Sequence, residues 1–551
     1  MISSPPRLGL LPFVAYRPKH FEVVWSNANL RPQCSLQEYV YICPPHPNED
    51  PVELTESSSR LLAERYGGQG VGVNGGGARC GNLNDVQVKG VGRNLLVGDQ
   101  SNFWHAHGGA SLVTACREAI WGEVTSLALP FGGVRAFGIV RLQSNVRCPS
   151  IGGPGTGPRA LVLREICARP AHFMRAVGFK PTELMLKYPS DTQRCREVIA
   201  DTADQLSKSG SSVGELLSEH ARRIATQAAC ARSKRLIHGN ISASNIALDG
   251  RWIDFDSITA LSDFGRLIMG AFDLSDFWSE FRDHINPLKD LCFYMQKYSG
   301  RSTARDDILN EFVATYQEKL SEFFLNLTGI PATTLLEVPK MLKHELFKSM
   351  MEVLSSGNEA SFYYSAKHTW EMPEVMGDYH LPTILQLIAI CETVECAETT
   401  LAPHLKNDRI RKKFIASYWK LKSAADALLL QRIGNDCQPA RLLNCGRVNS
   451  NARFLYRRDL DNAIRSVIET NDDLQACLDR TIARAKNLYQ TADEASDTFD
   501  FGSHSVLSLS AYEARRYGVV LSREAALRAL IESDFLSPTA IEFAEHAALA
   551  N

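Results

Sequence analysis

A change of hydrophobic period near residue 191 constrains this chain more than any other feature. Before that point apolar residues tend to alternate with polar ones, as in strands whose side chains point to opposite faces, and one helical stretch stands among them. Beyond it they recur at helical spacing for most of the remaining length. The clearest strand is Val86-Gln87-Val88-Lys89, which puts Val86 and Val88 on one face and Gln87 and Lys89 on the other. Residues 111–129 carry an apolar stripe of Val113, Cys116, Ile120, Val124 and Leu127 and stop at Pro130, which predicts a helix. Strand patterns at 134–142 and 160–166 flank a Pro/Gly run at 149–158 that predicts an irregular loop. Residues 1–60 mix prolines, aromatics and single charges, predicting an irregular lead-in. Residues 213–231, 307–430 and 459–489 read as helical. The expected fold class is α+β, with a strand-rich part at 61–190 and a helical part at 191–551. With 44% hydrophobic and 22% charged residues, the chain can bury a sizeable core.

One short break interrupts the helical half. Residues 236–258 hold the run His238-Gly239-Asn240-Ile241-Ser242-Ala243-Ser244-Asn245, then two short strand patterns around the turn pair Asp249-Gly250, ending in Ile253-Asp254-Phe255. Upstream lie a glycine-dense stretch with Gly76, Gly77 and Arg79, then Lys89 on the polar face of its strand, then Glu118 off the apolar stripe of the following helix. Folds that grip ATP in the manner of protein kinases use these parts in this order. A glycine-rich hairpin covers the phosphates, a strand lysine is held by a helix glutamate, and a loop Asn and a later Asp share a divalent cation. The spacing from His238 to Asn245 matches the kinase catalytic loop, and Asn245 with Asp254 supplies the oxygen ligands that Mg²⁺ favours. The expectation is therefore a protein-kinase-like fold of two lobes that binds ATP and Mg²⁺, with Lys89, Glu118, Asn245 and Asp254 as the catalytic set. Taken singly, each of these residues has a plain alternative as a surface charge, a loop cap or a strand end.

The runs Tyr66-Gly67-Gly68-Gln69 with Arg79, Val86-Gln87-Val88-Lys89-Gly90, Arg117-Glu118, Leu163-Arg164 and Arg169-Pro170-Ala171-His172-Phe173 resemble the N-terminal lobe of the selenoprotein O adenylyltransferases. The stretch from His238 to Asn245, with Ile253-Asp254, is similar to that family's metal-binding segment. The resemblance covers roughly residues 61–258. It implies that ATP is bound in a flipped orientation and that AMP is transferred to Ser, Thr or Tyr hydroxyls of a protein or peptide acceptor. It also implies that Lys89, Arg164 and Arg169 hold the phosphates, that Glu118 fixes Lys89, and that Asn245 and Asp254 bind Mg²⁺. Arginine suits phosphate because its planar fork grips two oxygens at once.

The chain departs from these patterns at several points. Asn240 stands where an active protein kinase has its Asp base, and an amide cannot take a hydroxyl proton as a carboxylate does. Ser242 and Ser244 stand where the family has Asn and Asp, His107-Gly108-Gly109 replaces its Asp-Gly-Arg stretch, and no cysteine follows Cys477. Two other uses of the same cleft stay open: a tailoring enzyme that spends ATP in maturing a peptide natural product, and a catalytically inactive pseudokinase scaffold. His105 and His107 beside Trp104 are a weaker metal candidate, with no third ligand at a convincing spacing. A formal net charge of −2 argues against nucleic acid as a partner. No apolar run is long enough for a membrane span, and the fourteen scattered cysteines form no disulfide or zinc framework. Reduced thiols in a cytoplasmic protein are the expectation.

Overall fold

The computed structural model describes residues 2–45, 49–101, 107–150, 153–261, 264, 266–269, 279–301, 304–357, 361–364, 381–433, 437–490, 497–500, 506–509, 513–516, 519–533 and 535–549. It is a mixed α/β protein, with an antiparallel, strand-rich sheet in its N-terminal part and a large helical region after it. Seven strands make the sheet's main path: β1 (Leu10–Pro18), β2 (Phe21–Ser26), β3 (Leu54–Glu64), β4 (Cys80–Leu83), β5 (Val86–Lys89), β7 (Ala136–Ser150) and β8 (Gly153–Glu165), in the order β1-β3-β4-β5-β8-β7-β2. The short strand β6 (Ala110–Ser111) pairs with β8 beside that path.

The sheet begins well before residue 61, so the region expected to be an irregular lead-in contributes strands β1, β2 and most of β3. Both β1 and β2 are edge strands, where the missing N–H of Pro12 and Pro18 breaks no central ladder and where burial does not alternate cleanly. The expected loop at 149–158 is also a correction. The β7–β8 ladder continues through it, pairing Arg147 with Thr156, Cys148 with Gly155 and Pro149 with Pro154. Glycines carry no side-chain alternation, so this pairing leaves no hydrophobic period to read.

Strand β5 lies between β4 and β8 and is buried at all four positions. Val86 and Val88 join Leu61, Phe137, Val140, Leu161 and Leu163 in an apolar layer capped by Tyr39, Val40 and Ile42. Gln87 pairs in register with Arg164, and Lys89 with Val162, on the opposite face. Against that face packs α1 (Leu112–Ala128), started by the Ser111 side chain accepting from the Thr114 N–H. The helix has an apolar stripe but is buried almost all round, because helices from far along the chain cover its other side.

The helical region contains α2 (Asp191–Lys208) and α3 (Val213–Ser233), whose Ser212 and Glu215 form a reciprocal cap at the α3 start. It continues through α4 (Ile285–Ser299), α5 (Arg305–Leu325), α6 (Ala332–Glu337), α7 (Lys340–Gly357), α8 (Leu381–Ile390), α9 (Val394–Leu401), α10 (Asp408–Ile433), α11 (Gln438–Val448), α12 (Arg457–Thr470) and α13 (Leu474–Tyr489), and ends with α14 (Arg523–Ile531) and α15 (Pro538–Leu549). A short four-stranded antiparallel sheet within residues 497–520 interrupts what the sequence predicts as helix. At the break, β9 (Leu236–Ile237) pairs with β10 (Thr259–Ala260), while the Asp249-Gly250 turn closes only a single bridge between Ile246 and Trp252. One apolar core runs from Trp25 and α1 through to Ala544. Among the described residues no helix is long and apolar enough to cross a membrane, and the thirteen cysteines whose side chains are described are free thiols.

Candidate functional site

Lys89 is the centre of the site. It is 1% exposed, and its ammonium lies 2.7 Å from Glu118 Oε2 on α1 and 2.6 Å from Asp254 Oδ1. Burial works against the charge, but Asp254 and Glu118 together raise the Lys89 pKa above its ordinary value, so the group stays protonated. The contact is thus a buried cation shared by two carboxylates from a helix and a loop that are 136 residues apart in sequence (254 − 118). Removing either carboxylate leaves a buried charge with half its compensation.

The other oxygen of Glu118 accepts from Arg164 Nη1. Arg164 also donates through Nε (2.9 Å) and Nη2 (2.7 Å) to Gln87 Oε1, and Arg169 Nη2 donates to the same oxygen at 3.2 Å. One amide oxygen therefore orients two guanidinium groups. The Gln87 amide nitrogen in turn donates to Glu64 Oε1 at 2.7 Å. Glu64 also accepts from Asn82 at 2.8 Å and from His172 Nε2 at 3.2 Å. Although burial opposes ionisation, His172 and Arg169 hold the Glu64 pKa down at about 2. Arg169 additionally donates to the Ser244 carbonyl at 3.0 Å and lies 5.3 Å above the Tyr66 ring, tying the sheet to the 238–245 loop.

Asp254 occupies the left-handed region, with φ 68°, which is uncommon for a residue with a side chain and better tolerated by Asp than by most. Its neighbours hold it there. Ile253 N donates to the Asn245 carbonyl at 3.0 Å, and the Ile253 carbonyl accepts from His238 Nε2 at 3.1 Å. Burial opposes ionisation of Asp254, but Lys89 and Arg79 hold its pKa well below the usual carboxylate range. Arg79 Nη2 stands 3.5 Å from Asp254 and 3.8 Å from Asp256, whose other oxygen meets Arg117 at 3.2 Å. Arg117 also reaches Asp461 on α12, 3.3 Å away.

The 238–245 loop is fixed from below by Glu280, which accepts from Gly239 N at 2.6 Å and from His238 N at 3.3 Å. Burial lifts the Glu280 pKa to about 7, although these two N–H groups pull the other way. His238 is kept neutral by burial, at about 4, with Nδ1 accepting from Asn240 N. Within the loop Asn245 Nδ2 donates to the Asn240 carbonyl at 2.9 Å, and Asn245 Oδ1 receives only a long 3.3 Å bond from Ser244. That leaves an amide oxygen able to face a cation.

The structure thus brings together Lys89, Glu118, Arg164, Arg169, Arg79 and Asp254, and links Asn245 to Asp254 through the Ile253 backbone. Gly76 and Gly77 have another place. They are buried against the end of β3, where Gly77 N donates to the Glu64 carbonyl at 2.9 Å and a Cβ on Gly76 would stand 2.3 Å from that oxygen. Their close approach delivers Arg79 to the cluster. His105 lies outside the described residues, and His107 is buried with its Nδ1 3.5 Å from Glu49 and accepting from Gly109 N. Among the described residues no three His, Cys, Asp or Glu side chains gather as a metal-binding group. The Asp254 carboxylate and the Asn245 amide oxygen are hard ligands that suit Mg²⁺ when phosphate oxygens complete its shell.

Sequence reasoning missed Asp256, Gln87, Glu64 and Glu280. Asp256 follows Asp254 at the same-face spacing of an extended segment and Gln87 shares the Lys89 face, so both carried a local signal. Glu64 and Glu280 carried none, since their partners are remote. No family model matches the chain, and no curated protein sequence matches it.

Proposed function

We propose that the chain has a protein-kinase-like fold of two lobes, related to the selenoprotein O adenylyltransferases, and transfers AMP from ATP to a hydroxyl of a protein or peptide. The observation that carries this reading is the Lys89 ammonium held between Glu118 and Asp254, with Arg164 and Arg169 fixed on the same face by Gln87. Lys89, Arg164 and Arg169 would hold the phosphates, and Asn245 with Asp254 would hold Mg²⁺, which offsets the charge that develops on the departing phosphate oxygens. In the transfer the acceptor oxygen bonds to the α-phosphorus, the α–β anhydride bond breaks and pyrophosphate leaves.

The hydroxyl proton needs a base, and neither Asn240 nor Ser244 is one. Asp256, whose side chain is 37% exposed beside Asp254, is the carboxylate that takes it in this scheme. Burial alone would raise the Asp256 pKa, but Lys89 and Arg117 keep it low, so it is a weak base. The rate then rests on positioning and charge neutralisation.

The same network favours a second reading. The cations Lys89, Arg79, Arg117, Arg164 and Arg169 are matched by Glu64, Glu118, Asp254, Asp256 and Asp461. A closed network of this kind also suits an inactive scaffold. Incubation with Mg²⁺ and ATP labelled at the α or γ phosphate separates the two, with Lys89→Ala and Asp254→Ala as controls. Covalent α label lost in both variants supports AMP transfer. Label from the γ position alone indicates phosphorylation, and nucleotide binding without label of either kind indicates the scaffold.

A further inference from the structure

Away from the Lys89 cluster, the C-terminal ends of α1, α3, α5, α11 and α13 converge on a cavity of about 260 Å³. At ~30 Å³ per water-sized group, it has room for about nine such groups. Leu127, Leu129, Phe323, Leu327, Val448 and Leu488 give it apolar walls, while Lys234 and Arg447 supply charge. Helix C-termini carry partial negative charge, and their carbonyls explain how two cations sit side by side here. Arg447 Nη1 donates to the carbonyls of Asn487 and Leu488, each at 3.3 Å, and its Nη2 to Asn444 Oδ1 at 2.7 Å.

Lys234 is held much less completely. Its ammonium donates once, to the Tyr489 carbonyl at a long 3.3 Å, and lies 5.8 Å from the Tyr489 ring. No carboxylate among the described residues pairs with it. Burial and then the neighbouring Arg447 lower its pKa, with only the Cys230 thiol acting against them. An ammonium has three N–H donors, so on the half-buried Lys234 two have no acceptor among the described residues beside a mostly apolar chamber. Helix-end charge fades within a turn, whereas an oxygen anion in direct contact would satisfy these donors and offset the repulsion from Arg447.

We propose that this cavity binds a small carboxylic acid with an apolar body, the carboxylate on Lys234 and the body against the leucine and Phe323 walls. None of the residues assigned to nucleotide lines it, so the inference stands apart from the proposed transfer. Isothermal titration of the full chain with hexanoate, hexanol and hexylamine tests it, since the three fit the volume, share a body and differ in head group. Hexanoate should bind one per chain, at least about tenfold tighter than either of the others. Lys234→Met should abolish that preference, and Cys230→Phe, which fills the chamber, should abolish uptake of all three. Equal binding of hexanol or hexylamine, or no binding of hexanoate, overturns the proposal. The head-group series on the unsubstituted chain decides the matter even where a variant fails to fold.

Discussion

Gln87 and Asp254 show how single side chains set the site. The Gln87 oxygen is the common acceptor for N–H groups of Arg164 and Arg169, and its amide nitrogen is a donor to Glu64. Gln87→Leu keeps the volume and removes both functions, stranding buried donors on charged groups. Chemical denaturation should register a loss of about 2–3 kcal/mol, and a nucleotide titration a weakening of about tenfold. Asp254→Asn tests charge apart from backbone, because Asn tolerates the left-handed φ of 68° as Asp does. The variant should lose Mg²⁺-dependent label transfer by about a hundredfold or more while its melting temperature stays within a few degrees. A melting point lowered as far as that of Asp254→Val, which loses the charge and also resists the left-handed region, would show that the carboxylate's pairing with Lys89, and not the backbone, holds the fold here.

Among the elements, helix α1 and the 238–245 loop carry the site, and each has one identifiable anchor. Ser111→Ala removes the cap of α1 and should cost about 1 kcal/mol by calorimetry. Glu280 makes the loop sensitive to pH. Its folded pKa of about 7 lies above the ordinary 4.5, so its protonated form favours the folded state. That contribution is complete below about 4.5 and disappears as pH rises through 7, a difference of about 3 kcal/mol. Stability followed by urea denaturation should fall by this order between pH 5 and 8, and Glu280→Gln should remove the Glu280 part of the slope. Strand β5 and helix α1 were legible in the sequence, because a clean alternation and a stop at Pro130 mark them. The β1 and β2 edges were not, since edge burial is irregular, and the glycine-rich end of the β7–β8 ladder pairs through backbone alone. Within the Lys89 cluster, Lys89, Glu118 and Asp254 were legible by order and face, whereas Arg164 and Arg169 stood out only through a resemblance of short runs. Glu280, which meets Gly239 and His238 from 41 and 42 residues downstream, could be found only in three dimensions.

At the scale of the whole molecule, the chain's two ends are joined. Trp25 Nε1 donates to Asp479 at 3.0 Å, Ser26 N to Gln475 Oε1 at 2.8 Å, and Arg117 reaches Asp461. Helices α12 and α13 thereby close the outer side of α1 in a core that continues to Ala544. Truncation after residue 456 should therefore yield an aggregating fragment, and calorimetry of the full chain should show the sheet and α1 melting together with α13. A fragment that stays monomeric and keeps nucleotide affinity would contradict this. The same closure has a consequence on the ribosome. The residues of α1 emerge early, yet the helix that covers them ends at Tyr489, about 360 residues later. At ~5–20 residues per second the interval is about 20–70 s. During that time Trp121 and its apolar neighbours stand open to water or to a chaperone, so the yield of native protein depends on what shields one nascent helix before its partner has been synthesised.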